Sequence, residues 1–99
     1  MTNPISPTIK IDGEHGTQHG WLFTLCIEWG DGVSSEHEIT MSWVDHEHLV
    51  GGAVPPSVIA ERAAKLAAAH FGQIELPERF DVSSLRRRID NFDYLIKSS

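Results

Sequence analysis

Residues 21–29 put a bulky apolar side chain at every odd position: Trp21, Phe23, Leu25, Ile27 and Trp29. The even positions carry Leu22, Thr24, Cys26 and Glu28. This period of two is that of a strand with one face buried and the other mostly wet. Such a strand cannot stand alone. It needs neighbours to satisfy its backbone and a second layer to cover its apolar face.

The neighbours are legible on both sides. Thr8-Ile9-Lys10-Ile11-Asp12 alternates and predicts a short first strand with Ile9 and Ile11 on one face. Gly30-Asp31-Gly32 supplies residues that tolerate positive φ, so a turn follows residue 29. The next strand is expected over about residues 35–44, with Ile39, Met41 and Trp43 on the apolar face and Glu36, Glu38, Thr40 and Ser42 on the other. Parity also puts His37 on the apolar side, at its rim. The three strands predict an antiparallel meander with the most apolar strand in the centre.

The covering layer comes next. Asp45 is expected to cap a single helical turn over His46-Glu47-His48, closed by Gly51-Gly52. Pro56 suits the first turn of a helix, which should run to about Phe71 and stop at Gly72. Ile59, Ala60, Ala63, Leu66, Ala67, His70 and Phe71 share one arc of that helix. An alanine-lined helix facing bulky tryptophans and a phenylalanine pairs small with large, which lets two layers approach and fill the space between them. Asp81 is expected to cap a second, shorter helix through about residue 90, with Val82, Leu85 and Ile89 on its apolar face. Phe92, Leu95 and Ile96 are expected to pack as an irregular tail. The fold class is therefore α+β: a three-stranded antiparallel meander packed by one Ala-rich helix, plus a short C-terminal helix. Pro4 and Pro7 among small polar residues predict a flexible tail over residues 1–7, leaving 8–99 as a single domain.

Composition narrows the function classes. One cysteine, Cys26, excludes an internal disulfide and fits a reducing cytosol. The N-terminus lacks a basic region followed by an apolar stretch, so no secretory signal is expected. No apolar run is long enough to span a bilayer. Together these predict a cytoplasmic protein with no membrane partner. The net charge of −6 makes nucleic acid a poor expected partner. The charge is also lopsided: residues 1–52 hold eight acids against one base, Lys10, whereas residues 53–99 hold seven bases against six acids.

Two groups of residues could carry chemistry. His15, His19, Asp45, His46 and His48 lie in the acidic half and supply the imidazole and carboxylate groups that zinc and similar metals require. The spacing names no specific cofactor, and exposed loop histidines would read the same way. Arg79, Arg86, Arg87 and Arg88 form the basic group and could meet a phosphate or an acidic partner. Three consecutive arginines on a helix point in three directions, which argues for a solvated face. His70 reads as a helix-end histidine, and Cys26 as a structural thiol with no local base to activate it.

Leu49-Val50-Gly51-Gly52, Pro56 opening a helix, and Phe80-Asp81-Val82-Ser83 followed by Arg88 and Tyr94 resemble a set of small, uncharacterised bacterial proteins of about this length. The resemblance covers the C-terminal half, consists of structural punctuation, and implies no activity. The leading expectation is a non-enzymatic binding or interaction module, able to pair a sheet edge with a second copy as a homodimer or with an extended peptide of a protein partner. A metal-binding protein or metal-dependent enzyme, and a regulator that meets nucleic acid through the arginines, are the alternatives.

Overall fold

The structure, a computed structural model, describes residues 7–50 and 53–98. The expected N-terminal tail, apart from Pro7, and the Gly51-Gly52 terminator lie outside the described residues. The three antiparallel strands form, with the first running on to Gly16 rather than ending at Asp12: β1 (Thr8–Gly16), β2 (Gly20–Gly30) and β3 (Val33–Ser42). They are followed by α1 (Trp43–Val50), α2 (Pro56–Glu75), β4 (Arg79–Asp81), α3 (Val82–Arg88) and α4 (Phe92–Ser98). The fold is α+β, but the sheet is four-stranded and mixed, in the order β1-β2-β3-β4, with β4 parallel to β3. A parallel neighbour requires a crossover, and α1 with α2 makes it.

Parity in β2 holds throughout. Phe23, Leu25 and Ile27 are fully buried, and β3 matches them with Ile39 and Met41. In register, Ile9 faces Ile27 and Ile11 faces Leu25. Burying each such side chain stabilises the fold by about 1.5–3 kcal/mol. Trp21 and Trp29 pack at the edge of this cluster, half-buried. The pairing of β1 with β2 shifts between Ile11 and Gly13, a bulge that inserts Asp12.

The Ala-rich helix covers the sheet as its composition requires, with Ile59, Ala60, Ala63, Ala64, Ala67 and Ala68 buried. The arc is rotated from the expected one: Ala64 and Ala68 enter the core, Leu66 and Phe71 are only partly buried, and His70 is exposed. Alanines at both i+3 and i+4 spacings give a flat, narrow stripe that sits closest to the strands, and the bulkier Leu66 and Phe71 fall to its sides. Gly72 breaks the helix, at φ 76°, but the chain resumes a turn through Glu75.

Further expectations are corrected. β3 ends at Ser42, because the Ser42 hydroxyl accepts the Asp45 N–H at 3.0 Å and caps α1. The single turn expected after Asp45 is thus an eight-residue helix that begins at Trp43, and Trp43 leaves the strand. His37 is buried rather than at the rim. The expected irregular tail is helix α4, with Phe92 and Ile96 buried. Finally, β4 is a strand of three residues, too short for any periodic signal in the sequence. It holds to β3 through the Glu38 N–H donated to the Glu78 carbonyl at 2.9 Å and the Thr40 hydroxyl donated to Asp81 at 2.5 Å. The same Asp81 caps α3 as expected, accepting the Ser83 N–H at 2.8 Å.

Gly20 begins β2 where the backbone leaves no room for a side chain. A Cβ there would run into the Met41 carbonyl oxygen and the Ser42 Cα, whereas a Cβ on Gly16 meets nothing within 4 Å. Gly20→Ala is therefore expected to cost about 1–3 kcal/mol of unfolding free energy in urea. Gly16→Ala should be close to neutral. Equal effects of the two substitutions would contradict this packing.

Candidate functional site

The Ser42 cap decides what α1 presents. With the helix starting at Trp43, Asp45, His46 and Leu49 turn inward and are buried. Trp43, Val44, Glu47 and His48 share the outer side and are exposed. Trp43 is 53% exposed and Val44 76%, although both are large and apolar. An open hollow of about 400 Å³ lies on them, rimmed by Glu47 and His48. A second, of about 510 Å³, shares Glu47 and His48 and continues to Leu49, Val54, Arg62 and Lys97.

The inner side of α1 is tied to the C-terminal helices by charge. Arg86 Nη1–H donates to Asp45 at 3.0 Å, and Arg86 grips both oxygens of Asp93, through Nε–H at 2.9 Å and Nη2–H at 3.0 Å. One guanidinium thus joins α1, α3 and α4. A bidentate pair of this kind adds geometric definition as well as energy. The hydrogen bonds from Arg86 hold the Asp93 carboxyl below its ordinary range, against an opposing push from partial burial; the charge of Arg86 adds to the lowering, as do those of His48 and Lys97 more weakly. His48 stands 3.8 Å from Asp93. The hollow of about 720 Å³ along α3 and α4 includes Arg86 and Asp93 in its lining, but these groups already satisfy one another.

The five candidate metal ligands separate. His15 and His19 are exposed in the β1–β2 hairpin. Asp45 is committed to Arg86. His46 donates Nε2–H to the Val54 carbonyl at 2.6 Å and meets the Trp21 ring edge-on, with centroids 5.3 Å apart. His48 points outward beside Asp93. Among the described residues, no three or more His, Cys, Asp or Glu side chains are grouped so as to hold a metal ion.

The arginines also separate. Arg79 grips Glu38 Oε1, at 3.1 Å through Nε–H and 2.6 Å through Nη2–H, and pins β4 to β3 on an exposed surface. Arg86 is the interior tie. Arg87 and Arg88 are exposed and have no hydrogen-bond or ion-pair partner among the described residues. Cys26 is a free, half-buried thiol.

One arrangement was not foreseen. Trp29 Nε1–H donates to Ser35 Oγ, the Ser35 hydroxyl bonds to His37 Nε2, and His37 Nδ1 bonds to the Pro77 carbonyl, each at 2.7 Å. A carbonyl only accepts, so Nδ1 carries the hydrogen, and in the neutral ring Nε2 accepts the hydrogen bond of the serine hydroxyl. The geometry of a nucleophile and its base is present. However, the serine oxygen already takes an indole N–H, and the imidazole leans on a neutral carbonyl rather than a carboxylate. The chain acts as a clamp that holds β2, β3 and the segment before β4 together. Its i,i+2 signature, Ser35 and His37, is visible in the sequence, but Trp29 and Pro77 reach it only through the hairpin and the crossover.

Comparison with protein-family models, curated proteins and solved structures finds no match for the chain. No helix among the described residues is long and apolar enough to cross a membrane.

The Asp93 tie has a pH signature. A carboxyl whose folded pKa lies below its unfolded value of about 3.9 contributes stability that is fully present above that value. The contribution is lost as the pH falls through the folded pKa. The stability gap between the native chain and Asp93→Asn, measured by urea unfolding, should be present at pH 5 and shrink as the pH falls below about 4. A gap that persists unchanged into strong acid would contradict the pairing.

Proposed function

We propose that this protein is a small non-enzymatic binding module whose contact surface is the outer face of α1. The observation that carries this reading is the adjacent exposure of Trp43 and Val44 beside an open hollow. Single exposed apolar residues are ordinary, but a tryptophan and a valine side by side above a concavity have no packing role to account for them. Tryptophan is also the residue most enriched where interfaces concentrate their binding energy. The serine–histidine pair and Arg86, the two arrangements closest to catalytic geometry, are already consumed by structural bonds.

Strand pairing at a sheet edge is the second reading, favoured by the nine-residue length of β1. Lys10 and the bulge at Asp12 blunt that edge, and β4 offers only three residues, so both edges carry the features that discourage pairing. Pairing of β1 with a second copy predicts a dimer in sedimentation at high concentration; a monomer there removes it.

A surface kept for contact is dispensable for folding. Trp43→Ser and Val44→Ser should each change unfolding free energy by less than about 0.5 kcal/mol. Phe23→Ala, in the core, should cost about 3–5 kcal/mol. A loss above about 2 kcal/mol for Trp43→Ser would show that this side chain is packed, and would remove the proposed surface.

A further inference from the structure

We infer that the groove along the outer face of α1 takes a peptide segment carrying an apolar anchor and, close to it, a carboxylate. This rests on reading that face as the contact surface, and it specifies the chemistry of the partner. The two hollows meet at Glu47 and His48 and differ in character. The first offers Trp43 and Val44, a site for an apolar side chain. The second combines apolar Leu49 and Val54 with the cations Arg62 and Lys97.

Those two cations are set apart by their place: like Lys65, Arg87 and Arg88 they have no carboxylate partner among the described residues, but they share the lining of one hollow with apolar side chains. Lys10, Arg79 and Arg86 each have a carboxylate partner. Arg62 has none among the described residues: it spends Nη1–H on the Ile96 carbonyl at 3.0 Å, which sets its guanidinium beside residue 97 with most of its five N–H groups uncommitted. Lys97 is exposed and has no hydrogen-bond or ion-pair partner among the described residues. Nearby Asp93 feels the Lys97 charge, but both its oxygens are held by Arg86. A chain of net charge −6 thus leaves two neighbouring positive groups open in this hollow, against the single carboxylate of Glu47 where the two hollows meet. A carboxylate placed there gains charge-assisted hydrogen bonds. A lysine or arginine in the same position would meet like charge. The apolar end then fixes the direction in which the segment lies.

The test is a display selection of random twelve-residue peptides on the full chain, followed by affinity measurements on the synthesised winners. The measurements are made with the native chain and with Trp43→Ser, Lys97→Glu and Arg62→Gln, each checked for folding by circular dichroism. Lys97→Glu alters an exposed, unbonded side chain, so it keeps the test meaningful if Arg62→Gln disturbs α4. The expected winners carry a large apolar residue with an aspartate or glutamate a few positions away. They should lose affinity about tenfold or more with Lys97→Glu and with Trp43→Ser. Winners with no acidic excess, or indifferent to Lys97→Glu yet weakened by Trp43→Ser, overturn the carboxylate while leaving the α1 surface standing. No enrichment, or winners indifferent to Trp43→Ser, overturn both.

Discussion

The hydrogen bond from the Asp45 N–H to Ser42 Oγ is the hinge on which the molecule's layout turns. Up to Met41 the chain obeys strand parity, and every odd residue of β3 from His37 onward is buried. At Ser42 the period changes from two to 3.6. Asp45, His46 and Leu49 are carried inward, while Trp43 and Val44 are carried out. Had β3 run on by parity, Trp43 would have joined Ile39 and Met41 in the core. One serine hydroxyl satisfying a helix N-terminus therefore decides both what holds the C-terminal helices and what is offered to solvent.

The inward consequence is the Arg86 tie. Asp45 is brought to the same guanidinium that grips Asp93, so helices distant in sequence are fixed against one another. His46, on the same side, bonds the Val54 carbonyl and packs on Trp21. These two inward residues are among the five that the sequence offered as metal ligands. Their polar atoms serve instead to satisfy buried partners, as an interior requires. The outward consequence is the pair of exposed apolar side chains beside a groove, which packing alone does not explain.

The sheet and its cover were legible because their signals are local and periodic. The odd-position residues of β2, the glycine turn at 30–32, Pro56 and the alanine run, and the Asp81 cap each declare themselves within a few residues. What escaped depends on contacts distant in sequence or on competition between adjacent signals. β4 is three residues long and is defined by Glu38, Ile39 and Thr40, about forty positions away. Ser42 and Asp45 both cap well, and only the structure shows that Ser42 does so while Asp45 answers Arg86. Of the candidate site, the sequence marked Asp45, His46, His48 and Arg86 as notable residues but not what binds them. Parity alone puts Trp43 in the core, because parity has no means of announcing where it ends.

The three tryptophans allow the central claim, that the switch at Ser42 turns Trp43 outward, to be read directly in solution. Their indole N–H signals can be followed by NMR while a soluble nitroxide is added, which weakens each signal according to its exposure. The account predicts that the Trp43 indole signal is the most strongly attenuated and that of Trp29, bonded to Ser35, is well protected. Protection of Trp43 equal to that of Trp29 would mean that Trp43 is packed, and would contradict both the strand-to-helix switch at Ser42 and the contact surface built on it.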